Sequence, residues 1–411
     1  MTKVKPTGPI PKGYAVEDGE LVVGGEKASH LVKQHGSPLF VYSKAQMDRK
    51  FAELRSAMPD QLHIHYAMKA NPFAPLLSHM IGHADGIDIA SGGELAIALG
   101  AGAKPEHISF AGPGKRDEEL LNAIKAGVTI NIESPTECDR AIQIGEKEGV
   151  KARLAVRVNP DFDLKGSGMK MGGGAKPFGM DADLVASTVR RIVDSGAHWR
   201  GFHIFAGSQA LKADAIVETQ HQTIKLAARL AEEIGQPPEH VNLGGGFGIP
   251  YFPGDEPLEV EQIGSALKSE LSDLPEILSN TQFAIELGRY LVGEAGVYLT
   301  QIVDRKVSQG QTFLVTDGGL HHQLAASGNF GTVVRRNYPA AIATQYEQRP
   351  IETVSIVGCL CTPLDRLNDN VEMPKAEVGD IVVIFCAGAY GASASPANFL
   401  GQGPAKEILV D

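Results

Sequence analysis

The chain has 411 residues, of which 43% are hydrophobic and 21% charged, and its formal net charge is -11. That length exceeds one small domain, and the balance is ordinary for a soluble globular protein. The acidic charge argues against nucleic acid or an anionic membrane as a partner. Cys138, Cys359, Cys361 and Cys386 are too few for a disulfide framework, which points to a reducing compartment. Cys359-x-Cys361 lacks zinc spacing, so no metal site is expected. The opening stretch MTKVKPTGPIPKGY has no apolar core like that of a signal peptide, and no apolar run reaches about 18 residues. The expected location is the cytoplasm, with no membrane contact.

In chain order, the first 40 residues offer a short strand (ELVVGG) and a helix (ASHLVKQHG). From residue 63 to 290, apolar runs alternate with helical patterns. The runs are IHYAMK (64–69), GIDIAS (86–91), ISFAG (108–112), TINIES (129–134), LAVRVNP (154–160), GFHIFAG (201–207), HVNLGGG (240–246) and FAIELGRY (283–290). Continuous apolar strands separated by amphipathic helices indicate parallel β/α units. Eight of them predict an α/β fold, a (β/α)₈ TIM-type barrel with its active site at the C-terminal strand ends; a doubly wound open sheet is the alternative. After residue 291, alternating β-branched runs such as GDIVVIFCAGAY predict a mostly β domain. The expected division is a barrel at 41–291, with 1–40 and 292–411 forming the β-rich domain. The glycine-rich loop LKGSGMKMGGGAKPFG (164–179) reads as a mobile segment at the barrel mouth.

Groups at the strand ends of a barrel converge on one pocket. Lys69 closes the first run, Asp88 lies in the second, and Arg157 and Asn159 end the fifth. Phe205 and Ser208 end the sixth, Gly244-Gly245-Gly246 the seventh, and Glu286 and Arg289 the eighth. A triple glycine is most simply a tight turn, but bare N–H groups also make an anion nest. GGGFGI fails the dinucleotide fingerprint, which needs glycine where Ile249 stands. Arg289 suits a phosphate, since its fork donates two charge-assisted hydrogen bonds. Lys69 is a rim lysine on the plain reading, yet in a closed mouth it is suited to a Schiff base. Phosphate nest and Schiff-base lysine together are what pyridoxal phosphate requires, and Glu286 would keep its pyridine nitrogen protonated. Phe205 is core by default or a stacking partner for the cofactor. Cys359 and Cys386 read as small buried hydrophobes, Tyr390 as core or a phosphate donor, and His321-His322 as packing or surface.

With these residues in view, the chain resembles the pyridoxal-phosphate-dependent amino-acid decarboxylases of the alanine-racemase-like barrel fold, which include the ornithine, diaminopimelate and arginine decarboxylases. SPLFVYS, HYAMKANP, DIASGGEL, FAGPGK, VNLGGGFG, ELGRYLV, CTPLD and GAY carry the likeness in order along nearly the whole chain. The resemblance implies that Lys69 carries the cofactor and that Glu286 contacts the pyridine nitrogen. It implies that Gly244, Gly245 and Gly246 bind the phosphate, assisted by Ser208, Arg289 and Tyr390. Asp88, Arg157 and Glu94 match polar residues around the ring. Cys361 is implied as the acid that reprotonates Cα across a dimer interface, with Asp365 nearby. Arg289, Cys361, Thr362, Asp365 and Tyr390 are then expected to face the substrate.

Two departures bear on the substrate. The family's stacking histidine is Phe205 here, with the preceding histidine kept as His203. Diaminopimelate decarboxylases usually read CESGD where this chain has Cys361-Thr362-Pro363-Leu364-Asp365. The glutamate that grips the distal end of free diaminopimelate is thus missing. MKMGG, NLGGGFGIPYF, DGGLHH and SPANFLG resemble a diaminopimelate-decarboxylase-like subgroup that includes the butirosin glutamyl-carrier-protein decarboxylase and exosortase-associated decarboxylases. The expected activity is diaminopimelate-decarboxylase-like α-decarboxylation of an amino acid, with a carrier-linked or other amino acid in place of free diaminopimelate, by an obligate homodimer with shared sites. A carrier would need a local basic patch, such as Lys165, Lys170 and Lys176. A racemase of the same fold, or a non-catalytic cofactor-binding homologue, are the alternatives; Glu286 argues against the first, and Lys69 with Cys361 against the second.

Overall fold

The computed structural model describes residues 4–328 and 335–411, with Lys170 described by its backbone alone. The chain divides into two compact units. One comprises residues 51–248 and 257–288, and the other residues 1–50, 249–256 and 289–411.

The first unit is a closed parallel barrel. Its strands are β1 (His63–Ala67), β2 (Gly86–Ile89), β3 (Ile108–Phe110), β4 (Thr129–Ile132), β5 (Arg153–Asn159), β6 (His198–Ile204), β7 (His240–Gly245) and β8 (Gln282–Leu287). Each is hydrogen-bonded in parallel to the next, and β8 returns to β1 through Ala284–His63 to Leu287–Tyr66. All eight apolar runs of the sequence are therefore barrel strands, and the open-sheet alternative is excluded by closure. Burial on both faces explains why the runs are continuous and not alternating.

The connecting helices start and stop where local chemistry dictates. Ser91 and Ser134 accept hydrogen bonds from the backbone N–H of Glu94 and Glu137, each at 3.1 Å, which caps helices Gly92–Gly100 and Pro135–Glu148. Gly127 and Gly235 stop theirs in the left-handed conformation, at φ 82° and 76°. Helix Ala182–Asp194 buries Val185, Val189 and Ile192, one stripe at helical spacing. Each such aliphatic side chain contributes about 1.5–3 kcal/mol when fully buried. No helix is long and apolar enough to cross a membrane among the described residues.

The second unit is mostly β. Its main sheet orders Ala340–Ile342, Ile381–Ile384, Gly296–Ser308, Gln311–Thr316, Glu352–Val357 and Arg366–Met373. Leu39–Ser43 crosses the boundary at residue 41 drawn from the sequence. It pairs antiparallel with Gly296–Ser308 and parallel with Lys406–Val410.

Loop 164–179 is tied to the barrel by its backbone. Met169 and Lys170 pair antiparallel with Ser208 and Gly207, and Met171 and Gly172 donate to the carbonyl of Ala206. The segment read as mobile thus forms a short ladder on the chain just past β6.

Candidate active site

Within the barrel unit, the groups beyond the strand ends assemble around Lys69. This residue does not end β1; it sits in a 3₁₀ turn, Met68–Ala70, that starts where the ladder stops. The turn lifts its amine out of the sheet, leaving the side chain 44% exposed and Nζ 3.4 Å from Oε1 of Glu286. Glu286 itself is only 6% exposed, and its other oxygen accepts from Nε2 of His203 at 2.7 Å. Burial would raise the carboxyl pKa of Glu286. The Lys69 ammonium, then the hydrogen bond and charge of His203, outweigh it and hold the group well below the usual carboxylate range. Its neighbours therefore favour the ionised form of Glu286. The ammonium also lies 5.4 Å from the ring centroid of Phe205, a cation–π distance.

The triple glycine is required by close packing. A side chain at Gly244 would meet the carbonyl oxygen of Ile204 at 2.7 Å. One at Gly245 would meet that of Glu286 at 1.9 Å, and one at Gly246 that of Gly207 at 2.4 Å. Gly244 and Gly246 hold φ values of 71° and 80°, which favour glycine. Asn242 Oδ1 accepts from the N–H of Gly244 at 2.8 Å and fixes the turn. The bend at the end of β7 thus presents bare backbone beside Ser208, whose own strand Gly207–Ser208 lies past the end of β6.

Arg157 and Asp88 are buried but engaged elsewhere. Arg157 Nη1 donates to Glu133 at 2.9 Å and lies 5.3 Å from the Phe178 ring centroid. Asp88 stands 3.3 Å from Nδ1 of His65. Around Arg157 lies a network that sequence reasoning missed. Glu133 also accepts from the N–H groups of Gly112 and Gly179 at 2.6 and 2.9 Å, so it pins the end of loop 164–179. Lys115 is buried against Glu137 at 2.7 Å. The two acids stand four residues apart, at the end of β4 and the start of the next helix, which is the only sequence signal they carry.

In the β-rich unit, Arg289 begins a short helix, Arg289–Val292, one residue beyond Gly288 and not on β8 itself. Its guanidinium lies 4.8 Å from the ring centroid of Tyr390 and 5.4 Å from that of Tyr251, and Nη1 donates to the Tyr251 hydroxyl at 2.9 Å. Burial pushes the Tyr251 hydroxyl up to about 12, so it stays a neutral phenol. Arg289 Nε is buried and has no acceptor. Tyr390 holds a φ of 56°, an uncommon strain for a bulky residue and one that clusters at functional sites.

Cys361 and Thr362 occupy a tight loop in the same unit. Asp365, 2% exposed, accepts from the N–H groups of Leu320 and Leu360 at 2.7 and 2.8 Å, and a side chain at Gly319 or Gly358 would strike its carboxylate. Its carboxylate is spent on closing the loop, and the thiol of Cys361 stays exposed. Cys386 is buried with its thiol toward the carbonyl of Pro250, while Cys359 is half-buried. His321 and His322 are both buried; His322 bonds Tyr298 and the carbonyl of Gly403, each at 3.0 Å.

A half-exposed amine over an ionised carboxylate and a backbone cradle that tolerates no side chain, both within the barrel unit, fit an aldehyde cofactor bearing a phosphate. The comparisons agree. Residues 44–293 match the family described as pyridoxal-dependent decarboxylase, pyridoxal binding domain. The L-glutamyl-[BtrI acyl-carrier protein] decarboxylase of Niallia circulans is 37% identical over 92% of this chain and 90% of its own. The diaminopimelate decarboxylase of Aquifex aeolicus is 32% identical over 96% and 91%. The crystal structure of diaminopimelate decarboxylase from M. jannaschii with L-lysine superposes with a TM-score of 0.88 at 26% identity, covering 97% of this chain and 92% of that one. The chain belongs to the pyridoxal-dependent decarboxylases, carboxy-lyases that act on amino acids with pyridoxal phosphate as cofactor.

Proposed function

We propose that this decarboxylase acts on an aminoacyl group presented by a carrier protein, in preference to free diaminopimelate, with Lys69 as the residue that tethers pyridoxal phosphate. The observation that carries the chemistry is the Lys69–Glu286–His203 alignment, in which an amine meets a buried, ionised carboxylate. When bound, the cofactor supplies an electron sink for the pair freed as the Cα–carboxylate bond breaks. Glu286 is the protein's contribution to that sink, since a fixed negative charge favours a protonated pyridine nitrogen. His203 holds Oε2, which leaves Oε1 toward the Lys69 amine. Phe205 covers an apolar face and cannot itself exchange a proton. Gly244, Gly245, Gly246, Ser208, Arg289 and Tyr390 would hold the phosphate, and Asp88 and Arg157 would support the ring's surroundings through their buried pairs. Cys361, contributed across a homodimer interface, delivers the proton to Cα, and Asp365 acts through the loop that presents it.

Two facts support the substrate reading: Thr362 replaces the glutamate expected in CESGD, and the Niallia circulans relative acts on a glutamyl group of an acyl-carrier protein. Lys165 is exposed and Lys176 half-exposed in loop 164–179, which suits an acidic carrier; the side chain of Lys170 lies outside the described residues. The test is release of CO₂, with product mass, from diaminopimelate, ornithine, arginine, lysine, glutamate and carrier-linked glutamate. Turnover of the carrier-linked substrate alone is expected. Brisk turnover of free diaminopimelate would overturn this reading of Thr362.

A further inference from the structure

At the opposite end of the barrel from Lys69, three histidines converge. His63 opens β1 and His240 opens β7, and both register against β8, His63 with Ala284 and His240 with Gln282. His65 follows two residues after His63, so it projects from the same face of β1. The His65 and His240 rings lie nearly parallel with centroids 5.6 Å apart, and His63 lies 6.5 Å from His65. One nitrogen from each ring lies within 4.8 Å of the other two. They line a cavity of about 170 Å³ shared with Asp85, Glu106 and Arg200.

We propose that His63, His65 and His240 form a binding site for a divalent transition metal such as Zn²⁺, separate from the cofactor and tying β1 to β7. Imidazole is the ligand type these borderline ions favour, and three protein ligands leave a fourth position for water. The decisive detail is the buried carboxylate of Asp88, 3.3 Å from Nδ1 of His65. Metal-bound histidines commonly donate their second ring N–H to such a carboxylate, which fixes the tautomer and turns the other nitrogen toward the ion. Gly86 makes room for the His65 ring, since a side chain there would lie 2.6 Å from Nε2. Neutral imidazole is the form that binds metal. Arg200 is the adverse charge in the cavity; it is paired with Glu239, and Asp85 and Glu106 add negative charge.

The test is Zn²⁺ uptake by the cofactor-loaded enzyme, measured by mass spectrometry of the metal after gel filtration. His63→Gln and His240→Gln are the probes. A His79→Ala/His83→Ala double variant is the control, because those two rings stand 4.9 Å apart and offer a competing pair. One zinc per chain is expected in the wild type and in the control, and none in either probe while the cofactor colour persists. Zinc should raise Tm in the first pair and leave the probes unmoved. Asp88→Asn should weaken zinc binding by about 10–100-fold. If His240→Gln fails to fold, His63→Gln at its half-exposed position decides. Undiminished uptake in the probes, loss in the control, or no uptake by the wild type would each overturn the proposal.

Discussion

At the scale of single residues, Lys69 and Glu286 divide the work by environment. The lysine is half-exposed, while the carboxylate is buried and kept charged by its neighbours. Lys69→Ala should abolish both the visible absorbance of the bound cofactor and turnover; a colourless variant with full activity would end the tethering assignment. Glu286→Gln should keep the colour but lower kcat on the order of 10²-fold or more, the cost of removing one preorganised electrostatic partner. The same carboxylate predicts a pH effect. Its folded pKa is depressed, so its stabilisation is present above the ordinary value of 4.5 and lost as pH falls below it. Acid-unfolding curves should therefore be shallower below that pH for Glu286→Gln than for the wild type.

At the scale of elements, loops aim the reactive groups and the barrel supplies a rigid base. The Asp365 carboxylate helps to close the 358–365 loop, accepting from the N–H of Leu360 within it and of Leu320 outside it. Removing that acceptor leaves buried donors unsatisfied, at about 1–3 kcal/mol. Asp365→Ala should lower Tm and slow turnover with cofactor binding unchanged, because the loop that carries Cys361 is loosened. Unaltered kcat in a destabilised Asp365→Ala would show that the loop's shape is irrelevant to proton delivery. Cys361→Ala should leave the fold intact and slow the reaction by roughly 10²–10⁴-fold, the usual weight of a positioned acid.

At the scale of the whole molecule, the proposed homodimer makes a quantitative claim. If each site takes Lys69 from one subunit and Cys361 from the other, Lys69→Ala and Cys361→Ala should complement each other. Randomly mixed subunits would restore about a quarter of the sites, because half of the dimers are mixed and each holds one intact site. Activity that stays at the sum of the two inactive parents would refute shared sites.

The eight strands were legible in the sequence because each rests on a contiguous signal, and so was the position of Lys69 beside the first of them. A buried parallel strand must be apolar on both faces, and a lysine at its end is conspicuous. The glycine run and the ELGR stretch were legible for the same reason. The tertiary structure decided which groups meet. It lifted Lys69 onto a turn, placed Arg289 two residues past the barrel strand, and paired Arg157 with Glu133. It spent Asp365 on its loop and gathered His63, His65 and His240 from strands far apart in the chain. Such partners are neighbours only through sheet register and closure, which no local window of sequence contains.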